Sequence, residues 1–176
     1  MAECRCRLGQ GAFRGDSIGR NPTDRGKNGS KRSILVEAQG GPLSAVVGAA
    51  NVHDTKLLEK TIEAIVVKRP RPTKEKPQHL CLDKGYDNPT GHTTVKKHQY
   101  TPHIRPIGEE AQTTDGKKKH PARRWVVERT LAWLSKCRAV LVRYDKHVEN
   151  YLGLLQLACA LLWFRRLGKL KTSKGF

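Results

Sequence analysis

The chain has 176 residues and is 37% hydrophobic, which suits one domain with a real core. With 34 Lys+Arg against 16 Asp+Glu its formal charge is +18, so a polyanion is the expected partner and nucleic acid the first candidate. Aromatic residues make up only 6%, which argues against a base-stacking single-strand binder and for contact with backbone phosphates. The five cysteines, Cys4, Cys6, Cys81, Cys137 and Cys159, are odd in number and scattered, so they do not form a disulfide framework and fit a reducing cytoplasm. Cys4-Arg5-Cys6 has no second pair at zinc spacing.

In chain order, the opening MAECRCRLGQ carries charge but no apolar segment, so it is not a secretory signal. Residues 1–31 are rich in Gly, Arg, Asn and Lys without an apolar period, and are expected to be an irregular basic segment. Within it Asp24 reads as a turn residue, since Asn21-Pro22 and Arg25-Gly26-Lys27 are turn signals. Arg32–Ala38 and Leu43–Ala50 are β-prone runs joined by Gln39-Gly40-Gly41-Pro42, which predicts a hairpin. The second run is apolar on both faces, as in a covered strand. Asp54 is expected to cap a helix in which Leu57, Leu58, Ile62, Ile65 and Val66 recur at helical spacing for about four turns.

Lys68–Pro77 is a basic, proline-rich connector. It leads into a short strand, Leu80-Cys81-Leu82, that ends in Asp83. In an α/β sheet that is where ligands sit, although Asp83-Lys84-Gly85 alone also reads as a solvated turn. Asn88-Pro89 reads as an N-cap followed by proline at the first helical position, opening a short polar helix to about His98. Tyr100–Ile107 follows as an edge strand, bounded by Pro102 and Pro106. Gly108–Lys119 is a polar loop, and Pro121 opens a helix over about 122–137. A last helix over about 148–167 is apolar almost all round and ends in a basic tail. Its apolar part, Tyr151–Phe164, is short of the roughly 20 residues a membrane span requires, so it is a buried or interface helix.

Two carboxylates stand out by context. Asp83 closes a buried strand, and Glu128 lies mid-helix, four residues after Arg124 and next to Arg129. Taken alone, Arg124 and Glu128 are an ordinary helical ion pair. In a basic protein, a strand-end acid together with a helical acid is also what divalent-metal phosphoryl transfer requires, with hard oxygen ligands on Mg²⁺ or Mn²⁺.

The stretches NPTDRGKNGSKRSILVEAQGGPLSAVVGAANVHDTKLL, LCLDKGYDNP and WVVERTLAWLSKCRAVLVRYDKHVENYLGLLQLACALLWFRR, in that order, resemble bacterial insertion-sequence transposases with a DDE catalytic domain. The resemblance covers about residues 20–167. It implies a ribonuclease-H-like α/β fold, a mixed sheet flanked by helices, over residues 32–167, with 168–176 as a basic tail. In that family the Asp of D-x-G-Y matches Asp83 and the Glu of R-x-x-x-E matches Glu128. The resemblance thus implies that Asp83 and Glu128 are catalytic and metal-binding. Lys84, Arg124, Arg129 and Lys136 flank them as candidate DNA contacts. It also implies two Mg²⁺ or Mn²⁺ ions, cleavage at transposon ends and transfer of the freed 3′ hydroxyl into target duplex DNA. Assembly as a homo-oligomer and a nucleoid-associated cytoplasmic location, with no membrane contact, follow as family expectations.

The sequence departs from the family pattern in three places. Pro121 stands where the family has Tyr, and Ser135 where it has Lys, with Lys136 one step further on. One step along a helix turns a side chain by about 100°. The family's first acid lies on the opening strand of the sheet, and Met1–Arg7 offers no apolar run ending in Asp. Asp16 and Asp24 lie in expected loop. The opening strand and first catalytic Asp are therefore expected to be missing, as in an N-terminally truncated copy with impaired transposition. The alternative is a non-enzymatic basic protein that binds DNA or RNA. The two readings separate on whether Asp83 and Glu128 face one cleft, because a plain binder gains nothing from that convergence.

Overall fold

The computed structural model describes residues 2–10, 15–104 and 124–173. A six-stranded mixed sheet forms its middle layer. Strand β1 (Ala2–Gln10) pairs antiparallel with β3 (Asn28–Glu37) along its whole length, from Ala2↔Glu37 to Gln10↔Gly29. The other edge of β3 carries β4 (Pro42–Ala49) and the short β2 (Gly19–Arg20). On the far side of β1 lie β5 (His79–Leu82) and then β6 (Thr101–Ile104), both parallel. The β3–β4 hairpin is the one expected from Gly40-Gly41, and Gly40 adopts φ +89°, which glycine tolerates without strain. Strand β6 lies at the sheet edge, where Pro102 costs no ladder bond.

Helices cover both faces, giving the mixed α/β arrangement of a ribonuclease-H-like domain. On one face, Leu58 and Ile62 of α1 (Asp54–Glu63) and Val95 of α2 (Pro89–Lys97) pack with Ala2, Cys4, Leu35, Leu80, Leu82 and Tyr86. On the other, α3 (Arg124–Leu134), the one-turn α4 (Arg138–Leu141) and α5 (Val148–Ser173) pack on Ile34 and Val36 through Val126, Val127, Leu131, Leu134, Val140, Leu155 and Ala158. Alternation along β3 sends Leu35 to the first core and Ile34 and Val36 to the second, so the strand is apolar on both faces. Two buried arginines tie this second layer to the sheet. Arg32 donates to Val140 O at 2.9 Å, and Arg143 donates to Ser30 Oγ at 2.7 Å and Lys146 O at 3.0 Å. Burial lowers the affinity of the Arg32 guanidinium for its proton.

The structure departs from the expectation for residues 1–31. Ala2–Gln10 is not irregular, and a strand does occupy the place between β3 and β5 where the opening strand was expected to be missing. The signal was weak because β1 buries small residues, Ala2 and Cys4, on one side and turns Glu3, Arg5 and Arg7 to the other. Cysteine serves as a small hydrophobe here. What makes the segment a strand is its ladder to β3, which local composition does not record. At the other end, α5 runs on through Ser173, so residues 168–173 continue the helix rather than forming a separate tail. Asp54 is not the cap of α1. His53 is, its Nδ1 accepting from Thr55 N at 3.4 Å, while Asp54 turns to Lys31 Nζ at 2.5 Å. The turn reading of Asp24 agrees with the structure, as Lys27 N donates to Asp24 O at 2.9 Å. The expected loop 108–119 and Pro121 lie outside the described residues.

Candidate active site

Asp83 stands directly beyond β5. Its Oδ1 accepts from Lys84 N at 2.8 Å, capping a single 3₁₀ turn, Lys84–Tyr86. That turn is pinned by Tyr86, whose ring is buried in the first core and whose hydroxyl lies 3.4 Å from Cys6 Sγ. The chain then closes into α2, where Asn88 Oδ1 accepts from Gly91 N at 2.8 Å. Gly91 is required, because a Cβ there would lie 2.3 Å from Tyr86 O. A strand-end acid, a tight turn, a buried tyrosine and a capped helix therefore hold Asp83 as one unit.

Glu128 projects from α3 away from the buried Val126, one turn before Leu131. Its carboxylate is about half exposed (52%) and is paired with the guanidinium of Arg5 on β1. A second carboxylate ties the same two elements in the reverse sense. Glu3 on β1 is buried, and its Oε2 accepts from Val127 N of α3 at 3.3 Å. Acids at a helix's early N–H groups are favoured by unmet donors and by the helix dipole.

Strand register explains why a cleft opens at this point. The β1–β5 ladder contains Ala2↔Leu80 and Glu3↔Cys81, and β5 ends one residue later. Strand β1 runs on to Gln10 against β3 alone. Beyond the carboxyl end of β5 a crevice is left beside β1, and the carboxyl ends of strands are where α/β sheets bind ligands. Arg5, Cys6, Arg7, Lys31, Asp54, Glu128 and Leu131 line a cleft of about 340 Å³. A narrow recess beside it is lined by Glu3, Arg5, Asp83 and Val127. Glu128 lines the first and Asp83 the second, and Arg5 is a lining residue of both.

A transposase DDE domain matches residues 6–163. A relative from Burkholderia cepacia, described as "Putative transposase for insertion sequence element IS402", is 34% identical over 158 residues, which is 88% of this chain and 72% of the relative. The chain belongs to the DDE transposase family. As a DDE transposase it is a protein of insertion-sequence transposition, and the family implies DNA as partner and divalent metal ions.

The side chains of this DDE transposase do not fit a pair of such ions. Glu128 is engaged by Arg5 and Glu3 by the backbone of α3. Three cations, Arg5, Arg7 and Lys31, face two carboxylates, Asp54 and Glu128, so the lining is positive before any ion arrives. Among the described residues, two sets of three potential ligands lie within 4.8 Å of one another, Asp16–His147–Glu149 and Glu59–Glu63–His98. Neither includes Asp83 or Glu128. The thiols offer no nucleophile, since burial pushes Cys4 far up and Cys6 up to about 11.

Of the expected DNA contacts, Arg129 lies 4.7 Å over the Trp125 ring and donates to Gln39 O at 2.7 Å. Lys136 lies 4.8 Å over Trp133, which Arg165 also faces at 5.6 Å. Lys84 is on the Asp83 turn, and the side chain of Arg124 lies outside the described residues. Sequence reasoning missed Glu3, Arg5, Arg7, Lys31 and Asp54. The signal that would have found the first three is the period-two alternation of charged with small residues in AECRCR.

Proposed function

We propose that this chain engages duplex DNA through its cationic surface in transposition, and that strand cleavage by the chain alone is weak or absent. The observation that carries the reading is the Arg5–Glu128 pair in the acid cleft, which adds a cation where a nuclease centre gathers carboxylates. The outward stripe of α3, with Trp125, Arg129, Trp133 and then Lys136 at steps of three or four residues, supports contact with a phosphate backbone. Asp83 and Glu128 are the carboxylates we assign to any residual cleavage and strand transfer. Assembly with a second copy is supported by Leu157, Leu161, Phe164 and Leu167 of α5, which are apolar and exposed.

Two measurements on the full chain test this. Affinity for a duplex should fall by about a thousandfold or more between roughly 50 and 200 mM salt if six or more phosphates are contacted. A flat salt response would remove the DNA-binding reading. Incubation of a transposon-end duplex with Mn²⁺ should yield little product. Efficient cleavage that Glu128→Gln abolishes would show instead a working catalytic centre.

A further inference from the structure

We propose that the acid cleft takes a DNA backbone phosphate directly, with the Arg5 guanidinium standing where a divalent ion would otherwise serve. The proposal rests on the duplex-binding reading above. Among the described residues, Arg5 is a cation that lines both the Glu128 cleft and the Asp83 recess. Its planar fork fits two oxygens of a carboxylate, and fits two oxygens of a phosphodiester equally well. Both members of the Arg5–Glu128 pair are partly exposed, at 32% and 52%, and such pairs are weak, so exchanging the carboxylate for a phosphate costs little.

The rest of the lining favours an anion. Lys31 is nearly buried, and its ammonium is fixed by Asp54 Oδ1 at 2.5 Å and Val52 O at 2.8 Å. Arg7 is exposed at the cleft with no hydrogen-bond or ion-pair partner among the described residues, so its charge is available to a ligand. Glu3 is the other acid on this face of β1, and its carboxylate is turned to Val127 N. A phosphate entering beside Arg5 and Arg7 meets two guanidinium groups and displaces only Glu128. A divalent ion entering there meets the same two guanidinium groups, with Asp54 already paired to Lys31.

The two ligands predict opposite signs for one substitution. Duplex binding by the full chain, followed by fluorescence anisotropy, should be the same in EDTA as in Mn²⁺. In EDTA, Glu128→Gln should tighten binding by about two- to fivefold, the weight of an exposed ion pair, because it frees Arg5 and removes a repelling charge. Arg5→Gln and Arg7→Gln should each weaken it and lower the salt slope by about one. The cleft assignment is overturned if Mn²⁺ strengthens binding and Glu128→Gln cancels that gain, or if Glu128→Gln weakens binding in EDTA. Thermal melting checks each variant. Should Arg5→Gln fail to fold, the Arg7 and Glu128 variants, both changed at exposed side chains, decide the matter. Salt-dependent binding that none of these substitutions moves would sink this assignment alone, whereas no duplex binding at any salt would sink the duplex reading itself.

Discussion

Glu37, at the end of β3, holds the hairpin turn to the last helix. Its carboxylate accepts from Gln39 N and Gly41 N, both at 2.7 Å, and from Arg166 Nη1 at 2.9 Å. Burial pushes its pKa up, but the two backbone N–H groups and Arg166 outweigh that, and the carboxyl titrates below the usual glutamate range. A depressed folded-state pKa contributes stability that is fully present above the unfolded value, about 4.3, and is lost as pH falls through the folded one. Glu37→Gln should therefore lower the Tm at neutral pH. The gap from the wild type should close as the pH drops below about 4 in thermal melts; a gap that widens in acid would refute this account. A second residue-scale test concerns the turn that holds Asp83. Asn88→Ala removes the side-chain acceptor for Gly91 N and should cost about 1 kcal/mol in denaturant unfolding.

At the scale of elements, α3 carries two jobs on two faces. Val126, Val127, Leu131 and Leu134 are buried against the sheet, while Trp125 and Trp133 are 57% and 42% exposed beneath arginine and lysine side chains. Trp125→Ala and Trp133→Ala should reduce duplex affinity measurably while shifting the Tm little, because neither removes core volume. A large loss of stability in either would show that the ring packs rather than presents the cations. Four helices, the hairpin and the Asp83 strand were legible in sequence from local signatures such as helical spacing of apolar residues, glycines between β-prone runs and an apolar run ending in an acid. Helix α1 stops at Glu63, short of Ile65 and Val66, and the one-turn α4 carried no such signature. Strand β1 was not legible, since its evidence is nine pairings with β3, residues about thirty positions away. The cap of α1 was misread for a related reason. Asp54 is an ordinary cap by composition, and only the approach of Lys31 from β3 draws it aside.

For the whole molecule, the charge of +18 sets the expected partner, and the exposed apolar stripe on α5 bears on assembly. Leu161→Glu places a charge in the middle of that stripe. It should lower self-association in analytical ultracentrifugation without unfolding the chain, since Leu161 is 48% exposed; an unchanged distribution of species would count against α5 as the contact. No helix among the described residues is long and apolar enough to cross a membrane.

The sequence by itself determined the family, the α/β character and the identity of Asp83 and Glu128 as the acids to watch. Those properties rest on residue type and spacing, which survive without coordinates. Tertiary structure alone decided what surrounds the acids. Only when β1 pairs between β3 and β5 do Glu3 and Arg5 arrive beside α3, more than 120 positions away in the chain. The side chain that meets Glu128 there is an arginine. The electrostatics of the cleft depend on that meeting, because Coulomb interactions follow distance in space rather than order in sequence.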